Sequence, residues 1–308
     1  MPLDLHARIA LPSAFRHHDV LALHSRDAQQ TGERVDGLLV TKGLLWHGQP
    51  ALLQLQLQPG EALARLQVDG DDSTDTAAQQ VAQQATLDAM LARMLGLNDA
   101  VAVFEQQFGQ HVVLGALVSQ QPGLRVPASS TPFEALVWAI TGQQISVAAA
   151  IALRRRLIET CAIRHSSGML CFPDAAALSA LTPEQLRAAG FSVSKIATLE
   201  RVAAAVLDGS LPLDAWAAEQ PLPVATIEST LLAIKGIGPW TVHYALLRGF
   251  GWLDGSLHGD VAVRNALARL LDVPSVSQTD TEQWLAAFAP WRALVAAHLW
   301  ASLSAKTY

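Results

Sequence analysis

Cysteine is nearly absent: Cys161 and Cys171 are the only two in 308 residues. Two thiols cannot supply the four that an all-cysteine zinc site or an iron–sulfur cluster requires. So few thiols fit a reducing compartment rather than a disulfide framework. Although 51% of the chain is hydrophobic, no apolar run reaches the roughly 18–20 residues of a transmembrane helix. Residues 1–11 mix Asp4, His6 and Arg8 with apolar side chains and lack the apolar h-region of a signal peptide. The expectation is a cytoplasmic protein with no membrane contact. The ten histidines show no zinc-ligand spacing, and His17, His18 and His258 are read as surface residues.

An excess of positive charge is also missing. The net charge is −6, whereas phosphate binding normally shows as a basic surface. Residues 1–121 hold 7 Lys/Arg against 13 Asp/Glu, and residues 122–308 hold 14 of each. All the excess acid therefore sits in the first part. The neutral second part could still bind nucleic acid through backbone amides and a local cluster of arginines, as a weak electrostatic binder.

Two styles of sequence meet near residue 125. Leu53, Leu55 and Leu57 alternate with Gln54, Gln56 and Gln58, the period of a half-buried strand. Residues 38–40 and 44–46 flank Gly43, which reads as a hairpin. A helix is predicted over 76–95, with Leu87, Met90, Leu91 and Met94 on one face. The acidic loop at 69–75 has Thr74 and Gln80 where a calcium-binding EF-hand needs Gly and Glu, so it reads as a solvated turn. Beyond residue 122 the grammar is helical. Thr131-Pro132-Phe133-Glu134 and Thr182-Pro183-Glu184-Gln185 both have the form of capping boxes with Pro at the first helical position. Further helices are predicted over 196–207, 224–233, 239–249, 260–271 and 281–303. The expected class is α+β: an antiparallel-sheet α/β domain at 1–121, then an all-helical domain at 122–308.

The segment Leu231-Leu-Ala-Ile-Lys-Gly236-Ile-Gly238-Pro-Trp-Thr241 lies between two helical patterns. Gly236 and Gly238 permit a tight turn and close approach of another backbone. Pro239 suits the first position of the next helix, whose unsatisfied N–H groups form a phosphate site that needs no net positive charge. A plain connector between two core helices is the competing reading. About twenty residues on, Leu257-His258-Gly259-Asp260 precedes an amphipathic helical pattern.

This hairpin, followed by a loop ending in Asp, resembles the helix–hairpin–helix (HhH-GPD) superfamily of DNA glycosylases, and within it the bacterial 3-methyladenine DNA glycosylase II branch. Three further stretches carry the resemblance: Pro122-Gly-Leu-Arg-Val-Pro127, Ala139-Ile-Thr-Gly-Gln-Gln-Ile-Ser146, and Pro290-Trp-Arg292 with His298-Leu-Trp300. It implies a monomeric enzyme that acts on double-stranded DNA containing alkylated bases and needs no cofactor for its chemistry. The match implies Asp260 as the catalytic carboxylate; any Asp at that place would also serve as an N-cap. Breaking an N-glycosidic bond builds positive charge on the deoxyribose, which a carboxylate can stabilise while it orients water.

The target base must leave the stack to be reached. The resemblance makes Gln144 the wedge that fills the gap, where relatives have an apolar residue, with Gln143 beside it on the DNA. It makes Trp300, Tyr244 and Trp240 the aromatic pocket that would stack on an electron-poor base; core packing is their alternative role. Val261 stands where relatives have an aromatic, and Phe15 is the candidate for an N-terminal pocket aromatic. The amides of Gly236, Gly238 and Thr241 would face a phosphate. The carbonyls of Leu232, Ile234 and Ile237 would hold an alkali-type Na+ or K+ ion, since oxygen-only ligation suits a hard cation. Bifunctional relatives place a Schiff-base lysine two residues after the second hairpin glycine, where this chain has Trp240. The implied activity is therefore glycosylase without lyase. A non-catalytic helix–hairpin–helix module that only binds DNA is the alternative; it would need neither Asp260 nor the wedge and stacking residues.

Overall fold

The computed structural model describes residues 3–70, 77–97 and 100–303. The N-terminal part runs β1 (Leu3–Ala10), α1 (His17–His24), β2 (Glu33–Asp36), β3 (Leu39–Trp46), β4 (Gln49–Gln58), β5 (Glu61–Val68) and α2 (Ala77–Met94). The strands form one antiparallel sheet in the order β1-β5-β4-β3-β2. Alternation in β4 does what its period requires: Leu53, Leu55 and Leu57 are buried while the glutamines between them stay partly exposed. Leu87, Met90, Leu91 and Met94 of α2 close the same apolar cluster.

Gly43 does not turn the chain. It lies inside β3, and the reversal comes at His47 and Gly48, both with positive φ, between β3 and β4. Glycine is needed at 43 because the strand there meets the helical part: a Cβ would stand 2.2 Å from the Leu170 carbonyl oxygen. The Gly43 carbonyl accepts from the Phe172 N–H at 3.1 Å. Most of the predicted acidic loop, residues 71–76, lies outside the described residues; Asp69 itself accepts from the Ser166 N–H at 2.6 Å.

The rest of the described chain is helical: α3 (Ala100–Phe108), α4 (Gly115–Gln120), α5 (Pro132–Gly142), α6 (Val147–Cys161), α7 (Ala175–Ser179), α8 (Pro183–Ala188), α9 (Val193–Leu207), α10 (Leu213–Ala218), α11 (Val224–Ala233), α12 (Pro239–Phe250), α13 (Val261–Leu270), α14 (Gln278–Ala286) and α15 (Arg292–Ala301). The single helix predicted over 281–303 is two, α14 and α15. Pro290 cannot donate to a helical ladder and disfavours helical backbone before it. Helix α12 is buried on both sides. Val242, Ala245, Leu246 and Phe250 join a cluster with α5 to α11, while Tyr244 and Leu247 join one with α3, α4, α13 and α15. The hairpin glycines and the Asp260 loop thus flank a helix that packs into both apolar clusters of the helical part.

Thr182 and Gln185 form a reciprocal capping box, but the Thr131 box is only half made. Thr131 Oγ1 accepts from the Glu134 N–H at 3.1 Å, while the Glu134 carboxylate turns inward instead of back to the cap. It takes Lys42 Nζ and an Arg154 Nη, each at 2.7 Å, and the Ser130 hydroxyl at 2.7 Å. Glu33 on β2 completes the group through both cations. Burial alone would raise the Glu134 carboxyl, but Lys42 and Arg154 outweigh it and hold the group down at about 2. This buried quartet fastens the sheet to α5 and α6.

Candidate active site

Asp260 is the N-cap of α13, with extended backbone and its carbonyl accepting from the Arg264 N–H. Its Oδ1 accepts from the N–H groups of Ala262 at 2.8 Å and Val263 at 3.0 Å. The cap role therefore stands, and it uses one face of the carboxylate. Two indoles hold the rest. Trp240 Nε1 donates to Oδ2 at 3.0 Å, and Trp300 Nε1 donates to Oδ1 at 3.2 Å. Residues 40 and 20 positions apart in the chain thus converge on one half-buried carboxylate. A cap alone explains the amides but not the indoles.

The aromatic residues form a continuous cluster. Trp240 sits in the first turn of α12 and Tyr244 one turn later, with ring centres 5.3 Å apart. Tyr244 lies 6.3 Å from Trp300, which comes from α15. Sequence reasoning missed a fourth member. Trp138 on α5 donates its Nε1–H to the Tyr244 hydroxyl at 2.8 Å; its place one residue before Ala139, in a motif already singled out, was the available signal. Val261, by contrast, is 60% exposed, so the side of the site next to Asp260 is open where an aromatic would narrow it. Phe15 is not in this cluster. It packs on the apolar side of the sheet and edge-on to His17.

The hairpin is closed by the Ile237 N–H donating to the Ile234 carbonyl at 3.0 Å. Gly236 has φ +103°, and a Cβ there would stand 2.0 Å from Thr198 Oγ1 on α9. Gly238 has φ −114°, and a Cβ there would meet nothing within 4 Å. The two glycines therefore differ: the first is demanded by packing, the second leaves the N-terminus of α12 bare. Among the described residues the amides of Gly236, Gly238 and Thr241 have no hydrogen-bond partner within the protein. The carbonyls of Leu232 and Ile237 are likewise without one, while that of Ile234 is shared with the turn. Two uncommitted carbonyls beside a third suit a hard cation. No cluster of three or more His, Cys, Asp or Glu side chains suited to a metal occurs among the described residues.

Gln143 and Gln144 part company. The Gln143 amide donates to the Gly236 carbonyl at 3.0 Å and to Thr241 Oγ1 at 2.9 Å, so it braces the hairpin from the α5–α6 turn. Gln144 is exposed at the tip of that turn with φ +58°, a conformation that costs a side chain about 1 kcal/mol or more. The brace sets this tip next to the hairpin. Exposed Ile145 and Val147 flank it. His258 is not a surface residue: it is half-buried against the Ser256 hydroxyl at 2.8 Å. A cavity of about 890 Å³ lies elsewhere, between α2 and α10, and is lined by none of these residues.

A family model described as HhH-GPD superfamily base excision DNA repair protein matches residues 137–290. The chain is 32% identical to DNA-3-methyladenine glycosylase 2 of Escherichia coli over 203 residues, covering 64% of this chain and 68% of that one. Among solved structures it is similar to a 3-methyladenine DNA-glycosylase from Archaeoglobus fulgidus, with a TM-score of 0.78, 19% identity and coverage of 96% and 97%. It also shares its fold with an 8-oxoguanine glycosylase/lyase from Clostridium acetobutylicum solved with double-stranded DNA, at a TM-score of 0.69, 13% identity and coverage of 97% and 96%. No helix among the described residues is long and apolar enough to cross a membrane.

Proposed function

Because the chain belongs to the HhH-GPD superfamily of base excision DNA repair proteins, we propose that it hydrolyses the N-glycosidic bond of alkylated bases in double-stranded DNA, with Asp260 as its catalytic carboxylate. The observation that carries this reading is the convergence of Trp240 and Trp300 on Asp260. It sets an anion at the rim of an aromatic cluster suited to a flipped, electron-poor base.

The chemistry divides among the residues as follows. The amides of Gly236, Gly238 and Thr241 bind a phosphate at the start of α12, where the helix dipole favours negative charge. The carbonyls of Leu232, Ile234 and Ile237 would hold Na+ or K+, which would supply positive charge beside that phosphate. Gln144, held out on a strained turn, fills the space the base leaves. Tyr244, Trp240 and Trp300 receive the base. Asp260 stabilises the cationic sugar and orients water, as a carboxylate does in glycoside hydrolysis. Alkylated purines carry positive charge and leave without a strong general acid.

The side chain at the lyase position is Trp240, whose N–H is engaged by Asp260, so base release should proceed without strand cleavage. Incubation with alkylated duplex DNA tests both statements. Free methylated bases identified by mass, with no borohydride-trapped adduct, are expected; intact DNA bases throughout would refute the reading, and a trapped adduct its monofunctional part.

A further inference from the structure

The aromatic cluster has a cationic neighbour that none of the sequence motifs contains. Arg26 follows α1, and its guanidinium carbon lies 5.5 Å from the centre of the Trp138 ring. Trp138 in turn holds the Tyr244 hydroxyl. A cavity of about 160 Å³ sets Arg26 beside Leu23, Arg248 and Trp300. A smaller one, about 50 Å³, sets it beside Trp138 and Tyr244. Arg26 therefore lines two cavities that reach the aromatic cluster.

Neighbouring arginines are committed. Arg16 pairs with Asp19, Arg155 with Asp27, Arg154 with Glu33 and Glu134, and Arg248 donates to the Pro127 carbonyl. Arg26 makes no hydrogen bond or ion pair among the described residues, and its Nε is buried without a partner. A guanidinium offers five N–H donors, accepts nothing and keeps its charge. Arg26 is half-buried and only its Nε is buried without a partner; an acceptor reaching the guanidinium forms a charge-assisted bond. Its N–H groups also oppose an amino group on the edge of an incoming base, since donor would meet donor.

Resting on the glycosylase reading above, we infer that Arg26 is a specificity-determining residue, donating to a carbonyl oxygen on the edge of the extruded base and favouring bases that carry one. It makes and breaks no bond in the reaction. Phosphate grip, wedge and sugar chemistry are common to all substrates, so its effect is confined to the ratio between bases.

The test is single-turnover release of 3-methylguanine and 3-methyladenine from the same methylated duplex, quantified by mass. Both are cationic in DNA and methylated at the same nitrogen. The guanine presents an oxygen at position 6, where the adenine presents an amino group, and also carries a 2-amino group. Arg26→Ala should lower 3-methylguanine release roughly 10- to 100-fold, the range for loss of a hydrogen bond to a charged group, with 3-methyladenine changed less than about 3-fold. Arg26→Met keeps an unbranched apolar stem and removes the donors and the charge, so it should match Arg26→Ala, while Arg26→Lys recovers part of the preference. Equal loss of both bases would reduce Arg26 to a pocket support, and unchanged release of both would place it outside the pocket; either overturns the assignment. Release of neither base by the wild type would refute the glycosylase reading itself.

Discussion

Gly236 and Gly238 are two residues apart, yet substitution should separate folding from binding. At Gly236 any side chain must take φ +103° and displace Thr198, a buried residue whose hydroxyl is already bonded to the Ser194 carbonyl. Backbone strain of about 1–3 kcal/mol adds to overpacking of about 1–3 kcal/mol. Gly236→Ala should therefore lose about 2–6 kcal/mol, a fall in melting temperature on the order of 10 °C. At Gly238 the backbone is extended and the Cβ position is open. Gly238→Leu should change stability by less than about 1 kcal/mol, the entropy gain offsetting a poorer cap. Its side chain would stand in front of the bare amides of α12, however. Losing one or two charge-assisted amide–phosphate bonds should weaken DNA binding roughly 10-fold to several hundred-fold. Thermal melting and fluorescence anisotropy with an abasic-analogue duplex read the two effects on one preparation. Unchanged affinity in a folded Gly238→Leu protein would make the hairpin a mere connector, and an unaffected melt in Gly236→Ala would refute the packing argument.

Gln144→Ala should lower excision most for lesions that pair stably, because the extrusion it assists costs more there; equal loss on paired and mispaired lesions would remove the wedge role. Burial pushes the His298 imidazole down to about 4, with Arg16 adding to it, and both its nitrogens are buried without partners. Its folded value lies below the unfolded one, so the stability it contributes is complete above about pH 6.5 and is lost as pH falls towards 4, on the order of 3 kcal/mol. Denaturant midpoints measured from pH 7.5 to 4.5 should fall more steeply in the wild type than in His298→Leu; parallel curves would contradict this.

The sheet, α2 and most helices were legible because burial imprints periods of 2 and 3.6 on the sequence, as in Leu53 to Leu57 and Leu87 to Met94. The turn at Gly236 to Pro239 and the cap at Asp260 were legible from glycine, proline and a cap residue, but their assignment to DNA and to the sugar came from the family resemblance, since the same residues also serve as a connector and an N-cap. What escaped is long-range. Gly43 looked like a turn because a glycine demanded by the Leu170 carbonyl, over a hundred residues away, is written like any other. Glu134 looked like a capping residue because Lys42 and Arg154, which claim it, come from β3 and α6. Residues 281–303 read as one helix because apolar spacing continues across Pro290. Trp138 had only its place beside the Ala139–Ser146 motif as a signal, and Arg26 had none; the packing of α1 and α5 beside α12 and α15 brings both to the aromatic cluster.

The central claim is that Asp260 acts on the sugar rather than merely capping α13, and single-turnover excision by Asp260→Asn tests it most directly. Asn can keep the bonds to Ala262, Val263 and Trp300 through its one oxygen, but its amide nitrogen then faces the Trp240 N–H, which now bonds to Oδ2 at 3.0 Å. A donor meeting a donor costs about 1–3 kcal/mol, so the melting temperature should fall by a few degrees, while affinity for an abasic-analogue duplex persists. Excision should drop by about 10²–10³ or more with the loss of the charge that stabilises the sugar cation. A folded, DNA-binding Asp260→Asn protein that excises alkylated bases within a few-fold of the wild-type rate would contradict the account.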